Sequence, residues 1–342
     1  MKQLVAALVL AFNSFFWPQT VYPYPHRGLL LDCARKYYSV NWIESLTDEL
    51  AAQGGNELIL HFSENEGLRI ESEQYPWLTE NMEGVYSQQE ILEIGDYARK
   101  KGITLIPSFD SPGHLKYILN AYEAHTGHSI SVKNVPECLD LANEEGVRFI
   151  RSLQKEYGEL FKKTGSTEFD MGGDEVFSNE YWDDQDQWQA LAQDFLQEIP
   201  AKSYDAFVLY MNDTNEFLKS IGYSTRMYND QLQKSPVELD PDITIAFWEV
   251  KGVLPPKNKV LNYLNFYLYY ILDPNLHYLG VDPRAIEREW TPGYFLNQKI
   301  DRDRVVGSAF CIWSDIPDSQ TEEQVMDGVK PLLKAWSDKC GG

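Results

Sequence analysis

Residues 28–34, GLLLDCA, form a near-continuous apolar run, and residues 40–54 follow with apolar positions at helical spacing and a Gly54-Gly55 stop. A strand that is apolar on consecutive residues is buried on both faces, the condition of a parallel sheet covered by helices. The same unit recurs along the chain. Strand-like runs occupy 57–63 (ELILHFS), 104–110 (TLIPSFD), 167–172 (TEFDMG), 224–230 (STRMYND), 243–249 (ITIAFWE), 259–269 (KVLNYLNFYLY) and 307–314 (GSAFCIWS). Helical periodicity fills 88–101, 143–163, 196–220 and 321–337, leaving 178–196 and 271–304 as longer loops. Eight strands alternating with helices predict an α/β fold, a (β/α)8 TIM barrel in a single domain over residues 23–342. The alternative is a doubly wound open sheet, but no GxGxxG fingerprint or Walker loop supports it.

The balance of 52 acidic against 30 basic residues gives a net charge of −22. Phosphate binding rests on clustered Lys and Arg, so nucleic acid is excluded as a partner and anionic membranes are disfavoured. No apolar run is long enough for a transmembrane helix, so no integral membrane association is expected. The 4 cysteines lack metal-ligand spacing, and neither a metal nor a cofactor is expected. Residues 1–22 read as an apolar leader: Lys2 and the run LVAALVLAF (4–12) fit a secretory segment, although no small-x-small cleavage site follows. An extracellular or cell-surface location is expected on that reading, and a cytoplasmic one if the leader packs on the domain.

Barrel active sites lie at the C-terminal ends of the strands. Those ends collect Asp32 and Arg35, His61 and Glu64, Asp110 and His114, Asp170, Asp174 and Glu175, Tyr228 and Asp230, Trp248 and Glu249, Tyr267 and Tyr269, and Trp313 and Asp315. Carboxylates for acid–base work beside aromatic walls describe a carbohydrate site, and 9 Trp with 21 Tyr supply such walls in abundance. The segment 169–176, FDMGGDEV, is the most informative. Its glycines free the backbone as the strand ends. Adjacent residues of a strand face opposite ways, so Asp174 and Glu175 can serve one site only where the strand breaks into a loop. An ordinary surface turn and a metal site are the competing readings of this segment.

The motifs HRGLLLDCARKYY (26–38), LILHFSENEGLRIES (58–72), LIPSFDSPGH (105–114), MGGDE (171–175), RMYND (226–230) and IWSD (312–315) together resemble family 20 glycoside hydrolases, the β-hexosaminidases. The single-barrel layout is similar to the dispersin-like members, which cleave β-1,6-linked poly-N-acetylglucosamine. The resemblance implies a retaining, substrate-assisted reaction on β-linked N-acetylhexosamine glycans. Glu175 would be the general acid, and Asp174 would hold the 2-acetamido group whose oxygen attacks the anomeric carbon, giving an oxazolinium intermediate. Glu64 and His114 match a pair that tunes the acid. Arg27 and Asp315 match positions that bind the sugar's 3- and 4-hydroxyls, with Arg35 a second candidate for the arginine. Trp248, Trp313 and Tyr228 would wall the acetamido pocket, Tyr267 or Tyr269 would donate to its carbonyl, and Asp140 is a further subsite candidate. Four positions depart from the family pattern: Glu64 for Asp, Asp170 for His, Tyr228 for Trp, and Asp315 for Glu, the last leaving the choice of GlcNAc over GalNAc open. Alternatives are a broad hexosaminidase on chitooligosaccharides, a lacto-N-biosidase, and a non-catalytic glycan-binding barrel.

Overall fold

The structure, a computed structural model, describes residues 24–176, 186–197, 200–230, 232, 235–249, 254–273, 275, 282–296 and 298–341. The expected leader, 1–22, lies outside them. In chain order the elements are β1 (His26–Asp32), α1 (Val40–Ala52), β2 (Glu57–His61), α2 (Gln88–Lys100), β3 (Thr104–Ser108), α3 (Lys116–Thr126), β4 (Ser131–Val132), β5 (Val135–Leu139), α4 (Glu144–Lys163), β6 (Glu168–Asp170), α5 (Asp186–Leu196), α6 (Ser203–Ser220), β7 (Ser224–Tyr228), β8 (Thr244–Phe247), β9 (Val260–Asn262), α7 (Asn265–Leu268), β10 (Tyr269–Ile271), α8 (Pro283–Glu289), β11 (Val305–Trp313) and α9 (Glu322–Gly341).

Strands β1, β2, β3, β6, β7, β8, β9 and β11 pair in that order, all in parallel, and β11 closes on β1 through Leu29 opposite Phe310 and Leu31 opposite Ile312. This is the predicted eight-stranded barrel. The alternation inside each apolar run now has a meaning. Leu29, Leu31, Leu58, Leu60, Phe310 and Ile312 pack outward in the large core under the helices, while Leu30, Ile59, Ala309 and Cys311 fill a smaller cluster inside the barrel. Both faces of the strands are therefore dry, as the sequence required. No helix among the described residues is long and apolar enough to cross a membrane.

Three expectations are corrected. Residues 186–196 form helix α5 rather than a loop, and the helix expected over 196–220 starts only at Ser203, downstream of Pro200, whose ring and missing N–H break helical continuity. The run 259–269 is not one strand. It splits into β9 and β10 around the helical turn α7, and both pieces pair with β11. Helix α3 and the β4–β5 hairpin add structure that the strand and helix inventory did not contain.

At the N-terminal ends of the strands the barrel interior holds an ionic layer. Arg226 is buried, donates to Glu57 Oε2 at 3.1 Å and to the Tyr263 hydroxyl at 3.1 Å, and pairs with Glu168. His26 Nδ1–H faces Glu57 and lies 3.3 Å from Glu168 Oε1. Burial opposes charging of His26, but the two carboxylates outweigh it and raise its pKa. Arg226, joined by His26 in its protonated form, thus balances two carboxylates in a low-dielectric layer. Removing one member of such a set strands the others, at a cost of about 3–5 kcal/mol. Arg226→Met should therefore lower the midpoint of urea unfolding at pH 7 by that equivalent, and an unchanged midpoint would show that the layer contributes nothing.

Candidate active site

Strand β6 ends at Asp170, and the chain leaves it through Gly172 (φ 70°) and Gly173 (φ 86°). A side chain at Gly172 has no space, since its Cβ would fall 2.0 Å from Asp110 Oδ1. Asp110 Oδ1 instead accepts the Gly173 N–H at 2.9 Å. Glu175 follows at φ 50°, a left-handed conformation rare for a residue with a side chain. Its N–H donates to Asp230 Oδ1 at 3.1 Å. This bend brings two consecutive carboxylates into one pocket, together with Arg35, Glu64, His114 and Asp315. Strain of this kind persists where the surroundings over-determine it, here through Asp110 and Asp230.

His114, itself at φ 53°, bridges the carboxylates. Its Nδ1 lies 3.0 Å from Glu64 Oε2 and 2.8 Å from Oε1, and its Nε2 is 3.7 Å from both Asp174 Oδ2 and Glu175 Oε2. Burial opposes charging of His114, but Glu64, Asp174 and Asp110 outweigh it and hold its pKa well above the ordinary value. Burial would raise the Glu64 carboxyl, yet His114, His61 and Arg35 hold it well below the usual range. Arg35 forks between Asp32 Oδ2 at 2.9 Å and Glu64 Oε1 at 2.7 Å. The arrangement fixes an imidazolium beside the two consecutive carboxylates.

Glu175 is half exposed, and desolvation together with the Asp174 charge raises its pKa against the pull of His114. Such a carboxyl is suited to give up a proton at neutral pH. Asp110 is fully buried, and burial together with the Asp174 charge holds its pKa well above the ordinary carboxylate value, against the pull of His114 and the Gly173 N–H. Burial and Asp174 likewise push Asp230 up to about 8.

One wall is aromatic. The Trp248 and Tyr269 rings stack at 6.1 Å and 3°, and Tyr269 meets Trp313 at 5.6 Å. Trp248 is locked by its Nε1–H to Asp230 Oδ2 at 2.6 Å and by its backbone N–H to Asn229 Oδ1 at 2.9 Å. Asp230 thus ties the wall to the Glu175 backbone. By distance alone, Asp110, His114 and Asp174 could hold a metal ion, as could His26, Glu57 and Glu168. Within the first group His114 Nε2 lies 3.7 Å from Asp174 Oδ2, so imidazole and carboxylate also face each other as an ion pair.

Of the residues nominated from sequence, Asp174, Glu175, Glu64, His114, Arg35, Trp248, Tyr269, Trp313 and Asp315 come together here. Four do not. Arg27 lies at the start of β1, at the opposite end of the barrel, where its guanidinium donates to the carbonyls of Gly54 and Tyr24. Arg35 is the arginine of the pocket. Tyr267 falls in the α7 turn and bonds Glu289 Oε2 at 3.0 Å, so Tyr269 on β10 is the pocket tyrosine. Tyr228 is fully buried in the barrel interior, edge-on to Tyr263 at 6.2 Å, and does not line the open pocket. Asp140 anchors other structure, accepting from Trp188 Nε1 at 3.1 Å and Ala142 N at 3.0 Å. Sequence reading gave no role to Asp110 and Asp230, although both stood among the strand-end carboxylates.

The profile of the glycosyl hydrolase family 20 catalytic domain matches residues 24–327. The chain belongs to that family. Among solved structures, this family 20 barrel is similar to dispersin B, with a TM-score of 0.76, 26% identity, and coverage of 93% of this chain and 99% of that one. Among curated proteins it is 27% identical to beta-hexosaminidase subunit A1 of Dictyostelium discoideum, over 85% of this chain and 55% of that protein. It is 25% identical to the lacto-N-biosidase of Bifidobacterium bifidum, over 92% of this chain and 28% of that protein. The chain therefore spans about half or less of the length of these two relatives.

The sign of the Asp174–Glu175 coupling is open to direct test. Because the Asp174 charge raises the Glu175 pKa, Asp174→Asn should move the Glu175 carboxyl to a lower pKa in a carbon-detected NMR titration. A shift upward, or none, would show that the two groups do not share one field.

Proposed function

We propose that this chain is a retaining β-N-acetylhexosaminidase that removes terminal β-linked GlcNAc by substrate-assisted catalysis. The observation that carries the reading is the Gly172–Glu175 bend, which delivers two adjacent carboxylates to one pocket with an aromatic wall. A pair on consecutive residues does not provide the two opposed carboxylates of an ordinary retaining glycosidase. It does suit a reaction in which the substrate carries its own nucleophile.

In this mechanism Glu175 donates its proton to the glycosidic oxygen as the bond to the anomeric carbon breaks. Asp174 holds the acetamido N–H and stabilises positive charge developing there, while the acetamido oxygen closes onto the anomeric carbon. Tyr269 donates to that oxygen, and Trp248 and Trp313 enclose the methyl group. Water, deprotonated by Glu175, then opens the oxazolinium ion with net retention. Arg35 and Asp315 take the ring hydroxyls. The imidazolium of His114 draws the Glu175 pKa down somewhat and is held in place by Glu64. A net charge of −22 favours a polymer bearing ammonium groups, so partly de-N-acetylated poly-β-1,6-N-acetylglucosamine is the natural substrate on this reading.

The test is hydrolysis of an aryl β-GlcNAc glycoside by the wild type, Glu175→Gln and Asp174→Ala. Both variants should fold normally and lose about 10²–10⁴ in turnover with a substrate that needs acid assistance. Wild-type rates in Glu175→Gln would remove the acid from the mechanism. A thiazoline mimic of the oxazolinium should compete with substrate; failure to bind would argue against acetamido participation.

A further inference from the structure

We infer that the protein binds its leaving group as an extended oligosaccharide, in a groove that runs from Glu175 across the β2 and β3 loops to helix α3. The inference rests on the hydrolase reading above, because Glu175 fixes its direction. An acid that protonates the glycosidic oxygen stands at the junction of departing and retained sugars. Glu175 and His114 line the aromatic pocket, and they also line a second cavity of about 440 Å³ on their far side. The first takes the terminal sugar, so the second takes the leaving group.

Among the described residues that second cavity is walled by Asn65, Glu66, Lys116 and Glu137, and it carries none of the aromatic side chains of the first. Asn65 and Lys116 in turn line a third cavity of about 500 Å³, so each cavity shares a wall with the next. Lys116 N donates to Asn65 Oδ1 at 3.2 Å, joining the β2 loop to the start of α3 across the groove floor. The third cavity has a different character. Trp77, Leu78, Tyr117, Ala121 and Ala124 give it apolar surface, and the exposed imidazole of His125 stacks on Trp77 at 4.4 Å and 4°. Trp77 is fixed from behind by Phe149, at 6.0 Å and 13°. Flat rings beside small side chains, with the carboxamides of Asn81 and Asn120 at hand, suit pyranose faces and their acetamido groups. A monosaccharide leaving group would use none of this surface. A chain of three or more β-linked N-acetylhexosamines would fill it, and its remote contacts would lower KM or assist turnover.

The groove is tested with fully N-acetylated oligosaccharides of two to six sugars, an aryl β-GlcNAc, and three proteins: wild type, Ala124→Arg and His125→Ala. Ala124 is exposed on α3 and touches nothing catalytic, so the arginine obstructs the third cavity without disturbing the fold. In the wild type, kcat/KM should rise about tenfold from dimer to hexamer, equivalent to ~1.4 kcal/mol. Ala124→Arg should abolish the rise, and His125→Ala should reduce it, while both keep the wild-type rate on the aryl glycoside. A wild type indifferent to length, or an Ala124→Arg variant that keeps the rise, would overturn the groove. Calorimetric binding of the same oligosaccharides to Glu175→Gln, with and without Ala124→Arg, reads the groove independently of turnover. Length-dependent binding there, lost with Ala124→Arg, supports the groove even if the wild type cleaves nothing, in which case only the hydrolase reading falls. Equal binding of dimer and hexamer would overturn the groove.

Discussion

The constraint on which the site depends is the space that Gly172 does not occupy. Asp110 reaches into it and takes the Gly173 N–H, which turns the chain out of β6 and sends Asp174 and Glu175 the same way. Alternation along an extended strand would have separated them. The same Asp110 is buried beside Asp174, whose charge helps raise its pKa, so one side chain both shapes the backbone and shares the field of the consecutive carboxylates. Asp230 plays the matching part on the other side, joining the Glu175 backbone to the Trp248 ring. Two buried acids therefore flank the pair, each fixed by donors from the main chain or an indole.

Charge in the pocket is arranged in alternation: Arg35, Glu64 and His114 lead in sequence to the consecutive carboxylates. Each member compensates the burial of the next. The chain terminates at Glu175, the half-exposed member, whose environment raises its pKa. A raised carboxyl at the open end of a compensated series is where a proton can be given and recovered.

The eight strands were legible because burial on both faces leaves an unbroken apolar run, and the consecutive carboxylates were legible because glycines precede them at a strand end. Helix α5 was not, since its Trp, Ala and Leu sit among acidic and amide residues that resemble a loop. The break after β9 was hidden by the aromatic run 263–270, where a helical turn and a strand have the same composition. The position of Arg27 is also legible in the sequence. A residue at the start of a barrel strand lies at the end away from the site, so the strand direction that puts Asp32 and Arg35 at the rim puts Arg27 at the far end. Asp110 and Asp230 were visible as strand-end carboxylates, but their roles depend on main-chain donors that no pattern of residue types reveals.

The interrupted strand has a consequence for how the barrel rim behaves. Among the described residues β10 is bonded to β11 alone, and on its other side the seam toward β8 is closed by the Tyr269 ring lying on Trp248. At that point the rim is held by this ring contact together with single directional bonds, such as the Asn265 N–H donating to the Trp248 carbonyl at 2.9 Å. Two rings can shift past one another by a fraction of their width without breaking anything, whereas a peptide ladder moves only by losing a bond. Trp248 is pinned through Asp230 to the Glu175 backbone, so any give in this wall falls to the Tyr269 side of the seam and leaves the carboxylates opposite in place.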